Sequence, residues 1–264
     1  MIIPYYHVDA FTVGNQPFSG NPAGVCFLTS WLPDDLLQSM AAEHNLAETA
    51  FAIQKSNGEF DLRWFTPEFE MDLCGHATLA PAHVIFEHFG FSGERIGFDT
   101  RSGRLTVNRK DDVLELDFPS RPPVTSEVPP ELIAGLGMTP VTVMKSRDYL
   151  AVFESEGQVA ALKPDFSILA KVETLGIIAT APGQNADFVS RFFAPRAGVP
   201  EDPVTGSAHS TLIPYWAQRL GKTELHAFQL SKRRGELLCQ LRGDRVGIAG
   251  RAVTYSTGFL RVEW

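Results

Sequence analysis

Three short stretches of this 264-residue chain carry side chains whose types and spacing suit acid/base chemistry on a small anion. Glu48 stands in Asn45-Leu46-Ala47-Glu48-Thr49-Ala50-Phe51, after a helix that Asn45 is suited to cap and at the onset of an apolar strand. Desolvation at the edge of a buried strand raises a carboxylate pKa, which suits a group that both takes and returns a proton. The alternative is an edge-strand Glu that faces water or pairs with a Lys. Cys74-Gly75-His76-Ala77 opens a helix. There a neutral imidazole either donates to a ligand or relays a proton, or it simply caps the helix. Glu201-Asp202-Pro203-Val204-Thr205-Gly206-Ser207-Ala208 opens another helix, and Pro203 stiffens its loop. Asp202 either contacts a ligand or satisfies loop N–H groups, and Ser207 either caps the helix or hydrogen-bonds a ligand.

The elements that must position these residues are mostly strands. Period-two alternation runs through Phe60 to Phe65, Arg104 to Arg109, Val113 to Phe118, Asp187 to Phe193, Arg245 to Ala249 and Thr257 to Trp264. Lys110-Asp111-Asp112 joins two of these runs as a hairpin, so much of the sheet is expected to be antiparallel. Pro33-Asp34-Asp35 starts a helix over Leu36 to Glu43, and Pro164-Asp165 one over Phe166 to Val172. The remaining helices begin at Gly75-His76 and Gly206-Ser207. Ser120 to Pro130, with Pro122-Pro123 and Pro129-Pro130, breaks both periodicities and is the expected linker. The expected halves are therefore 1–120, to which the last strand near 255–264 is also available, and 121–254.

These features occur twice in the same order. One offset separates Pro33-Asp34 from Pro164-Asp165 and Gly75 from Gly206. Between them Trp64-Phe65-Thr66-Pro67 answers Phe192-Phe193-Ala194-Pro195, and Cys74-Gly75-His76-Ala77 answers Thr205-Gly206-Ser207-Ala208, with a short insertion in the second copy. A duplication of this kind gives two pseudo-symmetric half-domains that present two helix N-termini to a shared cleft. The unpaired N–H groups and partial positive charge of such ends favour a carboxylate, and small residues at Gly75, Ala77, Gly206 and Ala208 let a ligand approach the backbone.

Other chemistries fit less well. As a nucleophile or racemase thiol, Cys74 would gain from the helix N-terminus, which lowers a thiol pKa. A two-thiol epimerase wants a partner at the matching place, which holds Thr205. Cys74, His76, His83 and His88 do not have metal-ligand spacing, and no metal is expected. No nucleotide-binding motif occurs, so no cofactor is implied. The balance of 23 basic and 31 acidic residues, formal charge −8, speaks against nucleic acid as a partner. Three cysteines without CxxC spacing read as reduced thiols. No apolar run approaches the roughly 18 residues of a membrane span, and the chain start reads as a strand, so the expected address is cytoplasmic.

Six blocks carry a resemblance. Asp9-Ala10-Phe11-Thr12, Phe18-Ser19-Gly20-Asn21-Pro22, Asn45 to Phe51, Leu73-Cys74-Gly75-His76-Ala77-Thr78, Glu201 to His209 and Gly250-Arg251-Ala252-Val253 resemble, in order and spacing, the PhzF-like phenazine biosynthesis family. The resemblance implies an α+β, diaminopimelate-epimerase-like fold: two half-domains, each a mostly antiparallel curled sheet around a central helix, with the ligand between them. It implies Glu48 as general acid/base, with His76, Asp202 and Ser207 lining the site, no cofactor, and a homodimer. The family's founding activity moves a proton across a dihydro-hydroxyanthranilate skeleton. The founding enzyme lacks a thiol before its Gly-His, whereas this chain has Cys74, so phenazine synthesis itself is not implied. Two other readings stand beside this one: a one-thiol racemase using Cys74, and a non-catalytic binder on the same fold. Pro81 is a further point of tension, because an interior proline costs a helix about 3 kcal/mol, and the helix after Gly75 is expected to start late or bend.

Overall fold

The computed structural model describes residues 1–263 in two units: Met1–Asp117 with the chain from Ala249 onward, and Phe118–Ile248. The first unit contains β1 (Ile2–Thr12), β2 (Asn21–Leu28), α1 (Asp34–His44), β3 (Glu48–Gln54), β4 (Phe60–Phe65), β5 (Glu70–Met71), α2 (His76–His88), β6 (Arg95–Thr100), β7 (Gly103–Lys110) and β8 (Val113–Pro119), the last ending two residues into the second unit. The second contains β9 (Val124–Thr125), α3 (Pro130–Leu136), β10 (Thr142–Lys145), β11 (Tyr149–Val152), α4 (Glu156–Ala161), α5 (Phe166–Leu169), β12 (Ile177–Pro182), β13 (Phe188–Ala194), β14 (Val199–Asp202), α6 (Gly206–Leu220), β15 (Glu224–Gln229) and β16 (Gly235–Arg242). β17 (Arg245–Arg261) starts in the second unit and continues in the first.

The strand pairings of the two units repeat element for element. In the first, β1–β2 is antiparallel, β2–β3 parallel across α1, β3–β4 and β4–β5 antiparallel, β4–β6 parallel past α2, and β6–β7 antiparallel. In the second, β10–β11 is antiparallel, β11–β12 parallel across α4 and α5, β12–β13 and β13–β14 antiparallel, β13–β15 parallel past α6, and β15–β16 antiparallel. The parallel joins fall where a helix supplies the crossover, as chain geometry requires. The result is a sheet-dominated α+β fold with the duplicated order read from the motifs. The β7–β8 hairpin turns at Asp111, whose φ of 53° is one that Asp tolerates in tight turns.

Each unit has one helix buried almost all round. Ten of the thirteen residues of α2 are buried, against β1, β2, β3 and β7, and ten of the fifteen in α6, against β15 and β16. The second unit adds a core of Leu132, Leu136, Phe153, Leu169, Ile177 and Phe193 among others. In the first, Leu37 and Met40 of α1 pack with Ile3, Cys26, Phe51 and Phe65.

Both central helices contain a proline, and both compensate for it. α2 begins at His76, so the late start expected from Pro81 does not occur. Pro81 has no N–H to offer the Ala77 carbonyl four residues earlier, and Trp64 Nε1 donates to that carbonyl instead, at 3.0 Å. In α6, Pro214 leaves the Ser210 carbonyl open, and the Arg121 N–H donates to it at 2.8 Å.

Three elements differ from the sequence expectation. α5 stops at Leu169 rather than Val172, after one turn capped by Asp165, whose carboxylate accepts from the Ser167 and Ile168 N–H groups. The runs at Arg245 and Thr257 are one continuous strand, β17. The stretch expected as a linker contains β9, which pairs with β10, and the start of α3. No helix among the described residues is long and apolar enough to cross a membrane.

Candidate active site

Helix α1 ends at Asn45, left-handed at φ 49°, whose N–H returns to the Ala41 carbonyl, and the chain then enters β3 at Glu48. Helix α2 starts immediately after Gly75, so His76 occupies its first turn. These two starts bring Glu48 Oε2 to 2.9 Å from His76 Nε2, with the side chains 13% and 4% exposed. The two atoms approach closely without completing an aligned hydrogen bond. On the other side of the ring, Asn21 Nδ2 lies 3.1 Å and Cys74 Sγ 3.6 Å from Nδ1. Thr78 Oγ1 donates to the Cys74 carbonyl and fixes the loop before the helix.

The electrostatics of this cluster follow from burial and from Glu48. Burial disfavours an imidazolium at His76, but Cys74 and Glu48 beside it outweigh burial, and its pKa is raised well above the ordinary value. The Cys74 thiol is itself pushed up to about 11, by burial and then by Glu48. The thiol activation expected from the helix N-terminus is therefore reversed: desolvation and a neighbouring carboxylate outweigh the helix end.

Glu48, Cys74 and His76 place three donor atoms within 4.8 Å of one another, a set whose types would suit zinc. The arrangement fits an ion poorly. Glu48 and Cys74 approach opposite ring nitrogens, so one imidazole nitrogen does not share an ion with both. His83 and His88 lie elsewhere in the first unit, both with Nε2 on Thr254 Oγ1, at 3.0 and 2.9 Å.

In the second unit, Asp202 ends β14 and its Oδ2 accepts from Thr205 Oγ1 at 2.5 Å. Gln229, fully buried, locks the same loop: its Oε1 accepts from the Thr205 N–H at 2.9 Å, and its Nε2 donates to the Asp202 carbonyl at 2.9 Å. Ser207 lies inside α6 and does not cap it; its Oγ accepts from Arg147 Nη2 at 3.0 Å. No side chain caps α2 or α6, and neither has an acidic residue in its first turn, whereas α4 and α5 are capped by Ser155 and Asp165. The backbone around Gly75, His76 and Ala77, and around Gly206, Ser207 and Ala208, thus keeps the anion-binding character of an uncapped helix start.

The residues singled out from the sequence form one cluster in each unit, Glu48 with His76 and Cys74 in the first and Asp202 with Ser207 in the second. Sequence reasoning assigned no role to Asn21, Arg147 or Gln229. Asn21 sits in a quoted motif block but meets His76 only through the fold, and Arg147 and Gln229 belong to no motif.

A family model described as phenazine biosynthesis-like protein matches residues 8–258. An uncharacterized isomerase of Pseudomonas aeruginosa is 54% identical over 264 residues, covering 100% of both chains. The crystal structure of a PhzF-family phenazine biosynthesis protein of Enterococcus faecalis superimposes with a TM-score of 0.96 at 44% identity, covering 99% of this chain and 100% of that one. A hydroxyproline epimerase of Agrobacterium vitis, at 10% identity and TM-score 0.60 over 98% of this chain and 92% of that one, shares the fold.

Proposed function

This chain belongs to the phenazine biosynthesis-like (PhzC-PhzF) family, and from that premise we propose that it is a cofactor-independent isomerase that moves a proton on a small carboxylate-bearing substrate. Glu48 is the general acid/base. As the carboxylate it takes a proton from a substrate carbon, the electron pair left behind spreads into the substrate's conjugated system, and as the acid it returns the proton at a second carbon. His76 positions the reacting oxygen and offers a proton donor. The backbone around Gly75, His76 and Ala77 is suited to the substrate's anionic group; in the second unit the backbone around Gly206, Ser207 and Ala208 is suited to an anion as well, and Asp202 to a polar substituent.

The observation that carries this reading is the 2.9 Å approach of Glu48 Oε2 to His76 Nε2 in a nearly dry setting. A general base must sit within hydrogen-bond reach of its partners with an oxygen left for substrate. The test is solvent deuterium incorporation followed by NMR, with dihydro-hydroxyanthranilate and a panel of amino and hydroxy acids. Exchange is expected to fall by about 10²–10⁴ in Glu48→Gln and to persist in Cys74→Ser. Full exchange in Glu48→Gln would overturn the assignment, and loss in Cys74→Ser alone would turn it toward thiol chemistry. Wild-type protein that binds these acids without exchanging any of them would be a binder.

A further inference from the structure

The two units build their central helix starts in the same way but with different chemistry. In each, the hairpin that opens the sheet sends one side chain to the residue following the motif glycine of the buried helix. From the β1–β2 hairpin it is Asn21, whose amide meets His76. From the β10–β11 hairpin it is Arg147, whose guanidinium meets Ser207.

A second difference lies one strand away. Thr49 pairs with Phe65 in the first unit and Ile177 with Phe193 in the second, so the residue before each is Glu48 in one and Gly176 in the other. A Cβ on Gly176 would run into the Phe192 ring, which leaves no room for a carboxylate there. The acid/base pair of the first unit therefore has no counterpart at this place. Where the first unit meets its helix start with a neutral amide, the second meets it with a guanidinium paired to Asp148.

The Arg147 guanidinium is held, yet not saturated. Nε and Nη2 both donate to one oxygen of Asp148, at 3.1 and 2.8 Å, and Asp148 is only 1% exposed. Nη2 also donates to Ser207 Oγ, while Nη1 engages no group among the described residues and the side chain is 31% exposed. A hydroxyl that accepts from Arg147 has its own hydrogen free to donate elsewhere. Two further donors, Nη1 and the Ser207 O–H, thus accompany the uncapped first turn of a fifteen-residue helix.

Resting on the isomerase reading above, we propose that the second unit is specialised for anion recognition and that Arg147 is the specificity-determining residue, selecting substrates that present a carboxylate to Ser207 over neutral isosteres. The duplicated fold has divided its labour, with proton transfer in one copy and charge recognition in the other.

The experiment is binding of benzoate and anthranilate against their amides, by calorimetry or NMR titration, to wild type, Arg147→Ala and Arg147→Lys. Wild type is expected to prefer the carboxylates by roughly 10- to 100-fold, the worth of a charge-assisted pair. Arg147→Ala should abolish the preference, and Arg147→Lys should keep part of it. Partial unfolding of a variant scales both ligands alike, so the ratio separates recognition from a structural role. A wild type without the preference, or an Arg147→Ala that retains it, overturns the proposal. Neither outcome touches the Glu48 assignment, which falls only if Glu48→Gln exchanges deuterium as wild type does.

Discussion

Asn21 and His76, far apart in sequence, meet at 3.1 Å between Nδ2 and Nδ1, and Asn21 is fully buried. An imidazole that offers Nε2–H toward Glu48 needs a donor at Nδ1, and an imidazolium needs an acceptor there. A carboxamide carries both and serves either state on turning about its terminal torsion. Asn21 is therefore a positioning residue acting through His76. Asn21→Ala is expected to lower kcat for proton exchange on the order of tenfold to a hundredfold, with little change in KM. It should also shift the pH profile and the His76 imidazole resonances in ¹⁵N NMR. An unchanged kcat and tautomer would refute this.

The Trp64 indole and the Ala77 carbonyl form a stability device at the same helix. Trp64→Phe leaves that carbonyl buried without a donor, at an expected cost of about 1–3 kcal/mol in urea denaturation. In the Pro81→Ala background the helix regains its own N–H at that position, so the same Trp64→Phe change should cost less. The double-mutant cycle measures the coupling, and equal costs in the two backgrounds would show that the indole bond does not substitute for the missing helix bond.

His209 makes stability sensitive to acid. Its Nδ1–H donates to the Thr205 carbonyl at 2.9 Å, but complete burial beside Phe188 dominates and pulls its pKa down to about 4. Between pH 6.5 and 4 the unfolded chain then binds a proton that the folded chain refuses. Stability is fully present above 6.5 and falls as pH drops toward 4, by about 3 kcal/mol for this one group. His83, also lowered to about 4 by burial, adds in the same direction. His76, with its raised pKa, acts oppositely, stabilising below 6.5 and losing that contribution as pH rises through its folded value. Denaturation midpoints across this range check the sign, and His209→Gln should flatten the slope between 6.5 and 4.

Much of the fold was legible because the strands are half-buried and alternate cleanly, as in Phe60 to Phe65, which is β4 residue for residue. The repeated motifs exposed the duplication before any pairing was known. β17 read as two strands because Arg251 to Ser256 mix polar and apolar residues without alternating burial, yet they pair with β1 through register shifts at His7/Val8 and Ala10/Thr12 that no local pattern reveals. Glu48 and His76 were legible as chemistry through their places at element starts. Their partner Asn21 was not, because that contact exists only once β2 lies beside α2. Cys74 was legible only in part, for a related reason. Its position at a helix start is local and visible, whereas the burial and the nearby carboxylate that raise its pKa are products of folding.

Gly176, pressed beneath the Phe192 ring, leaves the second copy without a carboxyl at the place Glu48 holds in the first, so in the proposed transfer Glu48 does both halves. A lone base works from one side of the substrate plane, so the hydrogen should leave and arrive suprafacially, and a fraction should be carried between carbons without mixing with bulk water. Inversion of a stereocentre needs proton donors on opposite faces. In this scaffold a second carboxyl at residue 176 would have to displace an aromatic ring, so a two-carboxylate racemase is not one substitution away.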